Sequence, residues 1–356
     1  MEQIKHIKNI SIENFKCFDK FSVERFGKYN IILGDNNVGK SSFLESLLFE
    51  NNISKTIRNF QGLLLFKNIV LDKAYFENPF RFFLNTFSAK KTINVSLEYR
   101  NGNGFNLVLE PVFRKDLDKV EQQKLSDDIK FLNIEEVLKA RTNNSAFQYR
   151  LFDTRQNFEG TDDYIPYVYS TANYSSDLVR FFTANFSISK ESKNSLISSL
   201  KFLVPNISNV EITLNYIDQT PIIGLWLDDK DSLLPLPMFG DGTIRLFRII
   251  MEIAMSNGKH LCVDEIDTGF HYSRYKEVVK ILLSVASFNK VQLFISTHNN
   301  EFLKSFKEVL EENDFIDFQN ETKSFTLKKL PNGDIKAYRY DFEEFEFAIE
   351  QENELR

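Results

Sequence analysis

The feature that most constrains this chain is one short motif near its N-terminus. Gly34-Asp35-Asn36-Asn37-Val38-Gly39-Lys40-Ser41 fits G-x-x-x-x-G-K-[ST], between a strand-like run, Lys28 to Leu33, and a helix-like run, Ser42 to Phe49. In that context the backbone amides and the helix N-terminus surround phosphates. The alternative is a glycine turn before a helix that binds nothing. The strand, loop and helix together favour a P-loop, and therefore an α/β fold.

The motif assigns a role to its individual residues. Lys40 is long enough to reach the β- and γ-phosphates of a nucleotide, and the Ser41 hydroxyl that follows is a ligand for Mg²⁺. Asn37 stands where glycine is frequent, and asparagine tolerates a left-handed backbone better than most residues. The residues predicted to bind ATP are Gly34, Asp35, Asn36, Asn37, Val38, Gly39, Lys40, Ser41 and Ser42.

Two carboxylates follow an apolar run near the middle of the C-terminal half. Leu261-Cys262-Val263 predicts a buried strand, and Asp264 and Glu265 come directly after it, at the end where open parallel sheets bind their ligands. We expect Asp264 to hold Mg²⁺ and Glu265 to polarise the attacking water. By itself a strand ending in Asp-Glu is also typical of a solvated turn, but together with the P-loop it indicates a catalytic pair.

A histidine follows the next predicted strand. Val291 to Ser296 is apolar, and His298 comes two residues after it, where its ring could donate a hydrogen bond toward a γ-phosphate. A single histidine is more often a structural hydrogen bonder. Its position after the strand that follows the carboxylates favours a catalytic role.

The remaining pattern divides the chain into three parts. Residues 1–112 contain the P-loop and a hairpin of two alternating strands, and predict half of an ATPase head with an antiparallel β lobe. Residues 113–231 are more polar and predict an inserted helical and mixed region. Residues 232–356 alternate helix and strand, which predicts the parallel sheet of the second half.

Composition limits the classes of protein that remain. The chain has 42% hydrophobic and 26% charged residues with a net charge of -6, which is typical of a globular protein. Apolar runs fall short of the roughly 20 residues of a membrane span, and a signal peptide's apolar core is absent, so we expect a cytoplasmic protein. The two cysteines, Cys17 and Cys262, predict free thiols in apolar surroundings. Binding to DNA would require a local basic patch.

With these motifs in order, the chain resembles the ABC-type ATPases of the RecF, SMC and OLD (overcoming lysogenization defect) group. Ile10 to Phe18 is similar to the opening strand motif of that group, and Gly34 to Ser41 to its Walker A. Asp264 and Glu265 correspond to its Walker B, and His298 to its switch histidine. The resemblance implies an α/β fold: a P-loop head of ABC-ATPase type, with ATP and Mg²⁺ as cofactors.

Two further stretches resemble small OLD-like ATPases of the AAA family. Pro235 to Arg245 is similar to their signature, and Asp264 to Tyr272 to their D-loop, in which His271 stands where many ABC proteins have aspartate. The residues assigned to the signature are Gly240, Asp241, Gly242 and Thr243. In the family this segment caps the ATP of the other subunit, which implies a homodimer or a higher homo-oligomer. A glycine at 240 in place of serine, and the negative charge of Asp241, indicate a weak or transient dimer.

The resemblance also implies a biological role. Small OLD-like ATPases commonly serve in defence against phage, as sensors or regulators that act on a separate nuclease or toxin. Two alternatives remain: a RecF-like or SMC-like repair or maintenance ATPase that contacts DNA, and a nucleotide-switched scaffold with little turnover. The family's Q-loop glutamine is not assigned, although Gln61 follows the P-loop helix, and Lys16 follows the opening motif near the nucleotide.

Overall fold

Strands of consecutive apolar, buried residues form the centre of the protein in a computed structural model. The structure describes residues 4–67, 79–85, 92–126, 129, 136–143, 145–151, 164–169, 176–215 and 217–351. The described strands are β1 (Ile7–Phe15), β2 (Phe18–Val23), β3 (Tyr29–Gly34), β4 (Ile93–Tyr99), β5 (Gly104–Phe113), β6 (Glu136–Thr142), β7 (Gln148–Arg150), β8 (Tyr167–Val168), β9 (Ile207–Leu214), β10 (Pro221–Leu227), β11 (Leu234–Pro235), β12 (His260–Val263), β13 (Gln292–Ser296), β14 (Thr322–Lys329) and β15 (Ile335–Tyr340). The described α-helices are α1 (Lys40–Ser46), α2 (Ile53–Phe66), α3 (Lys119–Gln123), α4 (Ser176–Asn185), α5 (Lys190–Leu200), α6 (Asp241–Met255), α7 (Tyr275–Phe288), α8 (Asn300–Leu310) and α9 (Phe342–Glu350).

The central sheet has the strand order β15-β14-β3-β13-β12-β8. All its neighbours are parallel except β15, which returns antiparallel to β14 at one edge. Every residue of β3, β12 and β13 is buried, as expected for parallel strands covered on both faces. The predicted parallel sheet is therefore confirmed, and the carboxyl ends of β3, β13 and β12 lie side by side.

Alternate side chains of these strands enter two hydrophobic cores. Ile31 and Val263 pack on one face with α4 to α8, whereas Ile32 and Cys262 pack on the other with α1, α2 and strands of the lobe. The period-two alternation along each strand separates the cores. The sheet is the middle layer that positions the loops at its carboxyl edge.

The antiparallel lobe is a second sheet, with the order β2-β1-β4-β5-β6-β7. The hairpin of β4 and β5 turns at Gly102, whose φ is +82°, a conformation that glycine adopts without strain. The sequence predicted this hairpin and the lobe, and both are confirmed. The second strand of the hairpin extends beyond the prediction, to Phe113, where it pairs with β6.

The described parts of residues 113–231 contribute to every layer. β6 and β7 extend the lobe, and β8 pairs with β12 at the edge of the central sheet. A third sheet, β11-β10-β9, packs with α4 and α5 into the same core as α6. The domain boundaries at 113 and 231 stay a prediction, although this region shares its core with the head.

Two smaller expectations concern the thiols and the membrane. Both cysteines are free: Cys262 is buried as expected, but Cys17 is exposed in the turn between β1 and β2 rather than covered by apolar side chains. Within the described residues, no helix combines the length and apolar character needed to cross a membrane.

Candidate nucleotide-binding site

The loop between β3 and α1 has the backbone that the P-loop motif requires. Gly34 and Gly39 have φ of +134° and +106°, and Asn37 has φ of +66°. A β-carbon on Gly34 would lie 2.5 Å from the Leu327 carbonyl oxygen, so a side chain there is excluded by both space and conformation. Glycine and asparagine therefore stand where the chain must be left-handed.

Lys40 is buried at the start of α1 and is held by its own loop. Its Nζ donates to the carbonyl oxygens of Gly34, at 2.7 Å, and Asp35, at 2.8 Å. Burial lowers the pKa of Lys40, and the carboxylates of Asp264, Glu265 and Asp35 oppose that shift. The lysine and both carboxylates of the second motif therefore lie within electrostatic reach of one another.

The start of α1 fits an anionic ligand. Its N-cap, Gly39, supplies no side chain to the free N–H groups of the first turn, and that turn contains no acidic residue. By contrast, Asn52 and Asn299 cap α2 and α8 with their side chains. First-turn N–H groups lack acceptors within a helix, and their partial positive charge favours phosphate. These residues suit a nucleoside triphosphate, and Asp264 with the Ser41 hydroxyl supplies the oxygen ligands that Mg²⁺ prefers.

Asp264 lies at the end of β12 and is held by two hydroxyl groups. Ser296 Oγ donates to Asp264 Oδ1 at 2.5 Å, and the Tyr167 hydroxyl donates to Oδ2 at 3.1 Å. Burial raises the pKa of Tyr167 well above its usual value, so this phenol remains a neutral donor. The two bonds orient the carboxylate at the edge of the sheet.

Glu265 has a left-handed backbone, with φ of +46°. Its N–H donates to Ser296 Oγ at 2.8 Å, and its carbonyl oxygen accepts from Thr268 N at 3.1 Å and from Arg245 Nη2 at 3.0 Å. For a residue with a long side chain this conformation costs on the order of 1 kcal/mol, and such strain concentrates at functional sites. Three hydrogen bonds therefore hold the predicted catalytic glutamate in a conformation it would otherwise avoid.

The segments predicted as signature and D-loop lie against each other. Gly240 is the extended N-cap of α6 and has open space around its α-carbon. A β-carbon on Gly242 would lie 3.2 Å from the Gly269 carbonyl oxygen, so these two segments are in close contact. Arg274 Nη1 donates to Thr243 Oγ1 at 3.4 Å.

The two histidines have different surroundings. His271 is exposed and caps the short 3₁₀-helix Tyr272–Arg274, because its Nδ1 accepts from Ser273 N at 3.4 Å. An N-cap aspartate would offer the same acceptor. His298 is exposed beyond β13, and within the described part of the chain no hydrogen bond involves its ring.

Sequence reasoning missed three residues of the site. Ser296 and Tyr167 hold Asp264, and buried Arg245 ties α6 to the carbonyl oxygens of Asp264 and Glu265. One sequence signal could have identified Ser296. It is a residue with a hydroxyl side chain at the end of β13, the strand that follows Asp264 and Glu265 along the chain.

Gln61, which follows the P-loop helix, is buried inside α2. The Q-loop residue therefore stays unassigned.

Comparison with known proteins agrees with this geometry. Residues 29–304 match the family described as "AAA domain, putative AbiEii toxin, Type IV TA system". A Helicobacter pylori protein named ATP/GTP phosphatase is 26% identical, over 98% of this chain and 99% of its own length. A solved SMC head bound to the C-winged helix domain of ScpA superposes with a TM-score of 0.50 at 14% identity, covering 94% of this chain and 98% of that one. The chain therefore belongs to this AAA-domain family, with a P-loop and a fold similar to that of an SMC head.

Proposed function

We propose that the chain binds ATP with Mg²⁺ at the P-loop and hydrolyses it. The observation that carries this proposal is that Lys40 lies within electrostatic reach of Asp264 and Glu265 at the carboxyl ends of β3 and β12, the parallel strands on either side of β13. Lys40 contacts the β- and γ-phosphates, and Ser41 and Asp264 hold the metal. When bound, Mg²⁺ neutralises charge that develops on the phosphate oxygens.

Glu265 is the residue that polarises the attacking water. A carboxylate that accepts a proton from water in the transition state contributes about 10² to 10⁴-fold to the rate. Ser296 and Arg245 bond to the backbone of Glu265 and not to its carboxylate, so the side chain remains available for water. His298, exposed beyond β13, donates toward the γ-phosphate.

The second half of the site comes from another copy of the chain. The signature, Gly240 to Thr243, begins α6 without a side-chain cap, and Gly240 is unobstructed, which suits contact with a partner's phosphates. Met238 and Tyr272 beside it are 76% and 66% exposed. Burying such side chains favours association, whereas the charge of Asp241 opposes phosphate binding and keeps the closed dimer transient.

The dimer acts as a nucleotide-driven sensor or regulator in anti-phage defence, in the cytoplasm, with a separate nuclease or toxin as effector. Support comes from the family's description, which includes a toxin of a toxin–antitoxin system. Plaque counts on cells that carry the wild-type locus or its Lys40→Ala version test this role. Equal plaque counts on the two strains would show that ATP binding at Lys40 is not needed for defence.

Substitution of Glu265 by glutamine tests hydrolysis and closure together. Gln keeps the size and hydrogen bonding of Glu but removes the base, so turnover should fall by about 10² to 10⁴-fold while ATP still binds. Because ATP then persists, Glu265→Gln should accumulate as a dimer in Mg-ATP, measured by light scattering after size exclusion. The matched control is Glu312→Gln, since this half-buried glutamate pairs with Lys280 away from the site.

Each outcome decides a separate part of the proposal. Wild-type turnover in Glu265→Gln would remove this residue from the mechanism. A mass that is the same with and without Mg-ATP would contradict nucleotide-driven dimerisation. Lys40→Ala should lose ATP binding in titration calorimetry. A wild-type chain that binds ATP without measurable turnover would instead be a nucleotide-switched scaffold.

A further inference from the structure

A buried carboxylate on α1 is shared by two lysines. Glu45 is fully buried, and its two oxygens accept from Lys16, in the turn after β1, and from Lys67, the residue that follows α2. We refer to Lys16, Glu45 and Lys67 as the lysine cluster. It joins the P-loop helix to two segments that are distant in sequence.

The lysine cluster has two amine groups and one carboxylate, and buried charge without a counter-charge is costly. Burial lowers the pKa of Lys16 to about 7, and repulsion by Lys67 adds to this shift, so the two lysines compete for one negative charge. An anion that arrives beside the cluster would favour the protonated form of both lysines, because it supplies a second negative charge.

A chain of aromatic contacts connects the residue next to Lys67 with the carboxylate of Asp264. Phe66 packs against Tyr169 with ring centroids 5.2 Å apart, and Tyr169 packs against Tyr167 at 4.6 Å. Tyr167 in turn donates to Asp264. Burial lowers the pKa of Lys67, and the negative charge of Asp264 opposes that shift. Lys67 thus bonds to the P-loop helix through Glu45 and lies within electrostatic reach of Asp264.

Lys67 is also the lysine of the cluster that is free to change partner. The Lys16 ammonium lies over the rings of Phe15 and Phe83, 5.8 Å and 5.3 Å from their centroids. The Lys16 side chain is 18% exposed, compared with 36% for Lys67. Aromatic rings and burial hold Lys16 in place, whereas Lys67 can extend toward a ligand.

We propose that Lys67 is a second cation of the nucleotide site, which contacts the terminal phosphate and so distinguishes ATP from ADP. Glu45 is a positioning residue that holds Lys67 at the edge of the site. The inference rests on the proposed binding of ATP at the P-loop, and it adds a residue that reports the presence of the γ-phosphate.

The test compares Lys67→Met with Lys67→Arg, using magnesium complexes of ATPγS and ADP in titration calorimetry. Loss of a charge-assisted bond to the terminal phosphate should weaken ATPγS binding by about tenfold in Lys67→Met, and ADP binding by less than about twofold. Lys67→Arg should recover most of the difference. The control is Lys55→Met in α2, where Lys55 pairs with Glu50 at 3.2 Å.

Lys67→Met should fold, because Lys16 still neutralises Glu45. A measurement that needs no variant is the acylation of Lys67 in the wild-type chain, followed by mass spectrometry. Mg-ATPγS should protect Lys67 and Mg-ADP should not. Equal protection by both nucleotides, or parallel weakening of both affinities in Lys67→Met, overturns the inference. Failure of the wild-type chain to bind ATPγS overturns the proposed function instead.

Discussion

Replacing Ser296 with alanine removes one hydroxyl that bonds to both Asp264 and Glu265, the residues proposed to hold the metal and to polarise water. Ser296 is fully buried at the end of β13. Its Oγ donates to Asp264 at 2.5 Å and accepts from the N–H of Glu265 at 2.8 Å. A bond to a charged group is worth about 1.5–3 kcal/mol and a neutral one about 0.5–1.5 kcal/mol, so the free energy of unfolding should fall by about 2–4 kcal/mol.

The effect on turnover follows from the backbone of Glu265. Its left-handed conformation costs on the order of 1 kcal/mol, which is similar to the value of the bond that Ser296 accepts. Without that bond, Glu265 and Asp264 leave their aligned positions. Since about 1.4 kcal/mol corresponds to tenfold in rate, kcat should fall between about tenfold and about a hundredfold.

A phosphate-release assay and urea unfolding measure the two effects on Ser296→Ala. The matched control is Ser199→Ala, because Ser199 is also fully buried and its Oγ donates to Ser195 O at 3.2 Å and accepts from Asn289 Nδ2 at 3.0 Å. The control should lose stability with unchanged kcat. If Ser296→Ala also retained wild-type kcat, the hydroxyl would have a structural role alone, and the argument that it aligns the carboxylates would be refuted.

Two further predictions concern histidines. Burial lowers the pKa of His260 from 6.5 to about 4, so between these values the unfolded chain binds a proton that the native chain does not. The free energy of unfolding should therefore fall by up to about 3 kcal/mol as the pH drops from 6.5 to 4. His260→Gln should flatten this dependence in urea unfolding at several pH values, and an unchanged slope would contradict it. His271→Ala should lose the side-chain acceptor for the N–H of Ser273 and about 1 kcal/mol of stability, whereas His271→Asp should keep both. Equal melting temperatures for the two variants would contradict this capping role of His271.

Local patterns were sufficient for the elements and for the P-loop. Glycine at positions 34 and 39 reports a left-handed backbone directly, since only residues with little or no side chain adopt it freely. Runs of apolar residues identified β12 and β13, and alternation of apolar and polar residues identified the hairpin of β4 and β5. Both patterns are informative because the spacing of apolar residues along a strand reflects which of its faces are buried. These signals lie within a few residues of one another along the chain.

The polar region 113–231 shows what such local patterns cannot predict. Its short apolar runs predict an inserted region, and the boundaries of that region stay a prediction. In the structure β8 pairs with β12 in the central sheet, and Leu196 and Ile207 pack in the core of the head. Two residues suffice for β8 because a neighbouring strand supplies its hydrogen bonds. A segment this short has no period of its own, so only the tertiary structure assigns it to the sheet.

The sequence by itself determined the phosphate loop, the order of the motifs and the residues predicted for catalysis, since each depends on residue type and local spacing. Only the tertiary structure decided what holds them. Ser296 and Tyr167 reach Asp264 across 32 and 97 residues of sequence, and Glu45 meets Lys16 and Lys67 across 29 and 22. These contacts arise because the packing of whole layers brings distant strand and helix ends together, and no local pattern records which ends will meet.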